Sequence, residues 1–270
     1  MRKLLRRIVP RRLRQPLARG LREAPSRIRD FFPDLKEAVF PPRNRPPLPS
    51  AALRRSVSGT TSRRVFLSVG RAAAADVGRA FASARALEQA YPRWLDFGCG
   101  SGRITRHLIG ASDIEELWGT DVDREAIAWV QRYLPAGTYF INSTEPPLPF
   151  PAAHFDVVLA GSVFSHLNED PQRAWLTELA RLMRPGGLLI AATHSPNLTF
   201  MRPDLREDQH ALLQRDGFLF APGGGAFNED SAFHSCEYME KEWGGPLFHA
   251  RSFEEYGYCR FQDLSIWERA

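Results

Sequence analysis

Cysteine is scarce in this chain, which has three in 270 residues. Cys99, Cys236 and Cys259 are an odd number and none is spaced as C-x-x-C, so the sequence predicts neither a disulfide framework nor a zinc site. No apolar run approaches the roughly 18 residues that a membrane-spanning helix needs. These absences exclude disulfide-stapled and membrane-spanning classes, and a reducing cytoplasm is the expected location.

Two nucleotide-binding signatures are also missing. The chain has no G-x-x-x-x-G-K-[ST], which argues against a cradle for a triphosphate. The dinucleotide fingerprint G-x-G-x-x-G/A is broken, because Arg103 stands where the third small residue should be. Neither histidines nor acids show the spacing of metal ligands, so we predict no metal.

Net positive charge is confined to the N-terminal end of the sequence. Residues 1–30 hold eleven Arg or Lys against two acids, a local charge of +9, whereas the whole chain carries +5, so residues 31–270 sum to −4. Six prolines follow in residues 33–50, a composition typical of an extended connector. We therefore expect a basic, Pro-rich arm and linker over residues 1–50 and a folded domain over 51–270.

The most informative feature is a short apolar run that ends in Asp-x-Gly-x-Gly-x-Gly, from Asp96 to Gly102. Glycines at this spacing predict a strand, a tight turn and a helix, because the turn needs positive φ angles and a bare backbone against a ligand. The backbone amides at the start of that helix would suit a carboxylate. A second short strand ends at Asp121, whose carboxylate can accept hydrogen bonds from both hydroxyls of a ribose.

The chain resembles the class I S-adenosylmethionine-dependent methyltransferases in four successive motifs. These are the segments 95–102, 119–123, 148–158 and 182–187. The resemblance covers residues 91–194, and more loosely the segment from about 50 to the C-terminus. It implies an α/β, doubly wound, mostly parallel sheet of seven strands with S-adenosylmethionine across the carboxyl ends of its first strands.

The candidate cofactor contacts follow from the resemblance and from the positions of residues at the carboxyl ends of the predicted strands. Asn142 stands where the family usually has an acid for the adenine amino group, and an amide can still accept from that group. Val122 would lie against the adenine face. The full set of candidate cofactor contacts is Asp96, Gly98, Cys99, Gly100, Gly102, Asp121, Val122, Asn142, Ser143 and Ser162.

Three histidines are candidates for the catalytic base. His166 follows the fourth strand of the resemblance, beside the expected position of the methyl group, and an imidazole titrates near neutral pH. His194 ends the fifth strand and His234 lies in the segment after it. A structural role for His166, as a hydrogen-bonded anchor of its loop, is an equal alternative.

Within the folded domain we predict a core over residues 91–194, an irregular insertion over about 195–245 that binds the acceptor, and a final antiparallel hairpin over about 246–270. Strands are expected at Leu247 to Phe253 and Phe261 to Trp267. We also expect a helix from Ala72 to Gln89 with a buried stripe that includes Leu87, and another helix that Asp170-Pro171 opens.

The sequence thus predicts methyl transfer to a small-molecule or glycan-like acceptor, most readily at oxygen. The (D/N)-P-P-(Y/F) tetrapeptide of amino-directed nucleic-acid enzymes is absent, which argues against nucleobase acceptors. Two alternatives stay open: a protein, lipid or nucleic acid docked by residues 1–30, or a non-catalytic binding module. The same arm could touch an anionic membrane surface, which would make a cytoplasmic protein peripheral, or could be a solvated tail or an organellar transit peptide. The acceptor's identity and the oligomeric state are not readable from the sequence.

Overall fold

The computed structural model describes Asp34 and residues 45–223 and 230–270. The chain divides into two compact units between Leu67 and Ser68. The predicted basic arm at 1–30, most of the linker and residues 224–229 of the predicted insertion lie outside the described residues.

The helices and strands of the described residues alternate along most of the chain. The α-helices are α1 (Ala51–Ser58), α2 (Arg63–Ala84), α3 (Thr105–Leu108), α4 (Arg124–Tyr133), α5 (Glu169–Leu182), α6 (Glu207–Asp216) and α7 (Cys236–Glu242). The strands are β1 (Arg93–Phe97), β2 (Glu116–Asp121), β3 (Thr138–Ile141), β4 (Phe155–Gly161), β5 (Met183–Thr193), β6 (Phe218–Ala221), β7 (Ser231–His234), β8 (Phe248–Tyr258) and β9 (Gln262–Arg269). Short 3₁₀ helices cover Phe164–His166 and Pro196–Met201.

Seven strands form one sheet in the order β3-β2-β1-β4-β5-β9-β8. The first five are parallel, and β9 pairs antiparallel with both β5 and β8. The chain order reverses between β1 and β4, so their carboxyl ends flank the crevice in which such sheets bind ligands. The predicted doubly wound, mostly parallel seven-stranded sheet is confirmed.

Both faces of the sheet are covered, which explains why β4 has no polar alternation. Val158 belongs to the core shared with Trp175 and Leu179 of α5. Its neighbour Val157 belongs to the opposite core, shared with Val77 of α2. Successive side chains of a strand point to opposite faces, so a central strand between two helical layers buries apolar side chains on both faces.

One buried carboxylate joins the starts of three central strands. Asp156 in β4 accepts the backbone N–H of Arg93 at 2.8 Å and an N–H of the Arg184 guanidinium at 2.5 Å. Its side chain is almost completely buried. Two arginines compensate the buried charge and set the register of β1 and β5 beside β4.

In the first unit, Arg54 of α1 is a buried cation. Its guanidinium forms a salt bridge with Asp34 at 2.6 Å and donates to the carbonyl oxygens of Pro49 and Thr61. Because all its nitrogens have acceptors, the charge can be buried without a large free-energy cost.

The structure corrects two helix boundaries. Helix α2 begins at Arg63 and ends at Ala84, so Leu87 lies beyond it and is 90% exposed instead of buried. Helix α5 begins at Glu169 with Asn168 as its N-cap, so Asp170-Pro171 falls inside the first turn. Proline is compatible with that turn, whose N–H groups have no intrahelical acceptor.

The predicted irregular segment after β5 has regular structure. It contains α6, the antiparallel pair β6–β7 and α7. An isolated bridge joins His194 to Phe233, and the backbone N–H of His234 donates to the His194 carbonyl at 2.9 Å. The small β6–β7 sheet is therefore anchored at the carboxyl end of β5.

Candidate active site

The predicted glycine turn between β1 and α3 has left-handed backbone at Gly98, Gly100 and Gly102, with φ angles of 78°, 51° and 72°. A Cβ at Gly98 would stand 2.4 Å from Val163 Cγ2, and one at Gly102 would stand 2.5 Å from Leu134 Cδ1. Conformation thus favours glycine at both positions, and at Gly98 the contact with the short Val163 side chain also leaves no space for a Cβ.

The N–H groups of the turn are largely used within the protein. Gly98 and Cys99 both donate to the Thr120 carbonyl, at 2.8 and 2.9 Å, and Gly102 donates to the Cys99 carbonyl at 3.0 Å. These three amides are therefore not free for a ligand, and the prediction that a carboxylate binds the amides at the start of α3 concerns other residues. The turn instead offers bare backbone surface to a flat or extended ligand.

Asp121 ends β2 and faces the turn across the neighbouring strand. Its Oδ2 accepts the N–H of Gly100 at 2.8 Å and its Oδ1 accepts the N–H of Asp123 at 2.9 Å. Burial raises the pKa of Asp121, and the N–H groups of Asp123 and Gly100 oppose that rise. An ionised carboxylate has about four acceptor positions, so these two contacts leave acceptor capacity for a ligand hydroxyl.

Asp96, in β1, is buried and accepts the hydroxyl of Thr105 at 2.6 Å. Burial raises the pKa of this carboxyl to about 6, and the Thr105 hydrogen bond partly opposes that effect. The contact joins β1 to α3 and so supports the glycine turn between them.

The other candidate cofactor contacts surround the same strand ends. Cys99 packs its side chain into the core, so it can present only backbone to a ligand. Asn142 accepts the Thr120 hydroxyl at 2.6 Å and donates to the Ser143 carbonyl at 2.6 Å, which leaves one amide hydrogen to offer. Val122 is half-buried and Ser143 is exposed.

The segment after β4 is strained at its first residue. Ser162 has a φ of 71°, in the left-handed region that non-glycine residues seldom adopt, and the 3₁₀ helix Phe164–His166 follows. Such strain costs about 1–3 kcal/mol and persists only where neighbouring groups enforce it. We call residues 162–167 the post-β4 turn.

His166 ends this 3₁₀ helix. Its Nδ1 lies 2.7 Å from the carbonyl oxygen of Asp230. A carbonyl can only accept, so we assign the ring proton to Nδ1, which leaves the Nε2 lone pair as the basic group. Burial lowers the pKa of His166, and the Asp230 carbonyl opposes this, so the imidazole is neutral at neutral pH.

The ring of His194 lies 6.0 Å from that of His166, edge to face. His194 is 7% exposed, and its Nδ1 has no hydrogen-bond partner among the described residues. Burial, followed by the nearby His166, lowers the pKa of His194 to about 4. The structure therefore brings two neutral imidazoles together at the carboxyl ends of β4 and β5.

His234 lies deeper. It is completely buried, and burial lowers its pKa to about 3. Its Nε2 is within hydrogen-bond distance of the Gln172 amide, 2.9 Å from the nitrogen and 3.1 Å from the oxygen. Aromatic rings of Phe218 and Trp243 pack around it. This position favours a structural role for His234 over contact with an acceptor.

Sequence reasoning missed several residues that hold the site. Thr120 accepts two N–H groups of the glycine turn, and Gln172 and Gln262 both donate to the post-β4 turn. Tyr258 places its hydroxyl so that a Cβ at Gly161 would stand 3.0 Å from it. No motif marks Gln172, Gln262 or Tyr258. Thr120 lies in the segment 119–123, but it acts through its backbone carbonyl, which a sequence pattern does not reveal.

The described part of the chain holds neither a cluster of metal-ligating residues nor a membrane-spanning helix. No group of three or more His, Cys, Asp or Glu there could hold a metal ion. Because this covers only the described residues, the absence of a metal stays a prediction. No helix there is long and apolar enough to cross a membrane.

Residues 95–191 match the sequence model of the Methyltransferase domain family. A fatty-acid O-methyltransferase from Mycolicibacterium smegmatis is 33% identical over 121 residues, 44% of this chain and 42% of that protein. A ubiquinone biosynthesis O-methyltransferase from Cereibacter sphaeroides is 34% identical over 110 residues, 39% and 42% of the two chains. The chain thus spans less than half the length of these two relatives.

Among solved structures, magnesium protoporphyrin IX methyltransferase from Synechocystis PCC 6803, with bound S-adenosylhomocysteine, superposes with a TM-score of 0.51. The identity is 17%, and the match covers 76% of this chain and 86% of that one. This likeness shows the shared fold.

The residues at the glycine turn also fit the cofactor of that family. Asp121 supplies a carboxylate at the end of β2, and the turn beside it presents backbone without side chains at Gly98, Gly100 and Gly102. With the matched family and the seven-stranded sheet, these features lead to one conclusion. Residues 95–191 match the Methyltransferase domain family, and the described chain has the fold of the class I S-adenosylmethionine-dependent methyltransferases.

Proposed function

We propose that this protein transfers a methyl group from S-adenosylmethionine to a hydroxyl oxygen of a small-molecule or glycan-like acceptor. The observation that carries the proposal is the orientation of His166. Its Nδ1 is held by the Asp230 carbonyl at 2.7 Å, so a neutral imidazole presents the Nε2 lone pair. It stands at the carboxyl end of β4, the strand beside β1 and its glycine turn.

Bound S-adenosylmethionine would supply an electrophilic methyl group for in-line transfer. Asp121 would accept the ribose hydroxyls, the bare turn would lie along the cofactor, and Asn142 would offer its remaining amide hydrogen to the adenine. Ser162 is a further candidate contact, because it follows β4 at the same edge. These roles rest on the positions of the residues around the strand ends.

His166 would act as the general base. A neutral hydroxyl is a weak nucleophile, and its proton must leave as the new bond to oxygen forms. Nε2 would take up this proton, and the Asp230 carbonyl would stabilise the resulting imidazolium through the Nδ1–H. An acceptor that is already ionised needs no such base, so this arrangement favours a hydroxyl over a carboxylate.

His194 is a weaker candidate for the base. A group whose conjugate acid has a pKa of about 4 has little driving force to take a proton at neutral pH. A neutral, largely buried imidazole suits a hydrogen-bonding wall beside the acceptor. His234 has the lowest pKa of the three and is completely buried, so it is the least suited to reach an acceptor.

The test is methyl transfer from radiolabelled S-adenosylmethionine by the purified full-length chain to a panel of sugars, polyols, phenols, carboxylic acids and amines. We expect label in hydroxyl compounds. Turnover on amines or carboxylic acids alone would contradict O-methylation of a hydroxyl, and the absence of both cofactor binding and turnover would favour the binding-module alternative.

A macromolecular acceptor docked by residues 1–30 predicts a different result. Those residues lie outside the described part of the chain, so the two proposals are distinguished by turnover and not by structure. A chain that lacks residues 1–30 should keep its turnover on a small acceptor under our proposal. Loss of turnover on a macromolecule, with unchanged affinity for S-adenosylhomocysteine, would favour the alternative.

A further inference from the structure

The post-β4 turn, residues 162–167, receives four hydrogen bonds from two buried side-chain amides. Gln172 Nε2, from α5, donates to the carbonyl of Leu167 at 2.8 Å and lies 3.3 Å from the carbonyl of Phe164. These two residues flank Ser165 and His166 in the sequence. The amide therefore holds the backbone on both sides of the proposed base.

The second amide comes from the last strand of the sheet. Gln262 Nε2, in β9, donates to Ser162 Oγ at 2.8 Å and to Ser165 Oγ at 3.1 Å. Ser162 has the strained φ of 71°, and Ser165 is completely buried beside His166. One amide group thus fixes both the strained entry to the turn and the residue before the base.

Both glutamines are almost completely buried, at 2% exposure for Gln172 and 5% for Gln262. A buried amide that left its donors unpaired would cost free energy, so each must keep these contacts in the folded protein. Behind Gln172 lies His234, whose Nε2 contacts the same amide. His234 therefore supports the Gln172 amide and does not need to contact the acceptor.

We propose that Gln172 and Gln262 are positioning residues for His166: the two amides, from α5 and β9, fix the post-β4 turn so that His166 presents Nε2 with its Nδ1–H on the Asp230 carbonyl. The proposal rests on the proposed function only for the role of His166 as base. The geometry of the turn itself can be tested without any acceptor.

The first measurement is ¹⁵N NMR of the histidine rings in the protein saturated with S-adenosylhomocysteine, with His166 assigned by its loss in His166→Gln. We expect the Nδ1–H tautomer of His166 in the wild type at neutral pH. An Nε2–H tautomer there would overturn the proposal whatever the variants do.

The variants are Gln172→Glu, whose carboxylate cannot donate to the two carbonyls, and Gln262→Met, which keeps the bulk of the side chain but removes both donors. In each variant, the His166 ring signals should show either a mixture of the two tautomers or a changed pKa of the imidazole. Unchanged His166 signals in both variants would overturn the proposal. Gln131→Glu is the matched control. Gln131 lies in α4, and its Nε2 also donates to a backbone carbonyl, that of Tyr139 in β3, at 2.9 Å.

Turnover then separates positioning from stability alone. With an acceptor from the panel, Gln172→Glu should lower kcat by about 10- to 100-fold, as small misplacements of a reacting group do, with acceptor KM and cofactor affinity nearly unchanged. Combined with His166→Gln, it should add almost nothing further. If the losses in kcat from the two substitutions were instead additive, Gln172 would not act through His166, and the proposal would be overturned. If His166→Gln alone leaves kcat unchanged, the proposed function fails while the NMR result on the turn still stands.

Discussion

Gly100 donates its backbone N–H to Asp121 Oδ2 at 2.8 Å, so the acid that ends β2 also holds the turn that follows β1. The carboxylate thus has two tasks, one toward the proposed ribose and one toward the protein. Loss of this carboxylate should therefore weaken cofactor binding in two ways, by removing the ribose contact and by releasing the glycine turn.

Asp121→Ala should weaken binding of S-adenosylhomocysteine by at least about 100-fold, because each charged hydrogen bond is worth about 1.5–3 kcal/mol. Isothermal titration calorimetry measures the change. Asp123→Ser is the matched control two residues along, because serine can replace Asp123 as the N-cap of α4. Wild-type affinity in Asp121→Ala would remove this carboxylate from the cofactor site.

Gly98→Ala should disturb the turn in two ways. It places a side chain on a residue with a φ of 78° and sets its Cβ 2.4 Å from Val163 Cγ2. We expect a loss of about 1–3 kcal/mol in stability, measured by urea unfolding, and weaker binding of S-adenosylhomocysteine. The double variant Gly98→Ala/Val163→Ala should recover part of the loss, since it relieves the steric contact and leaves the backbone strain.

Gly78→Ala serves as the control for the glycine substitution. Gly78 lies inside α2, and a Cβ there would meet no heavy atom of the described residues within 4 Å. We expect this variant to be more stable by up to about 1 kcal/mol, because alanine favours the helix. If both glycine variants lost stability equally, the special geometry at Gly98 would not be the cause.

The pH dependence of turnover should report His166. Burial lowers its pKa from the ordinary histidine value, so the base should stay neutral through the neutral range and turnover should fall only below about pH 6.5. His166→Gln should lower kcat by about 10²–10⁴-fold and abolish this acid limb. A persistent limb in the variant would assign it to another group.

His194 should make stability depend on pH. Its pKa is about 4 in the folded protein and about 6.5 when unfolded, so its contribution is present above about pH 6.5 and is lost as the pH falls toward 4. At most about 3 kcal/mol is at stake. Urea unfolding at pH 7.5 and 4.5 should show a smaller pH-dependent loss in His194→Gln than in the wild type. Equal losses would show that His194 does not titrate differently on folding.

The sequence was most informative where the chemistry is local. The glycine turn and the acid at the end of β2 follow from neighbouring residues, and both have the expected geometry. Element ends were less certain, as Leu87 shows, because an apolar residue just past a helix still fits the helical pattern.

Long-range contacts escaped prediction for a physical reason. Gln262 has no local signature, since its amide matters only after the sheet has brought β9 to the post-β4 turn. Gln172 lies five residues after Leu167, but no motif marks an amide at the start of α5 as a contact of that turn. The regular structure after β5 escaped in the same way, because β6 and β7 are four-residue strands that pair across a connection of nine residues. Short strands carry too few residues to establish a period.

The contacts of the post-β4 turn also bear on the order in which this protein folds. Ser162 and Gln262 are separated by 100 positions in the chain, and His166 and Asp230 by 64. Closing such long loops costs chain entropy before any contact repays it, and distant pairings form slowly. During refolding from denaturant, helical circular dichroism and the β1–β2 pairing should therefore appear before the environment of His166 becomes native.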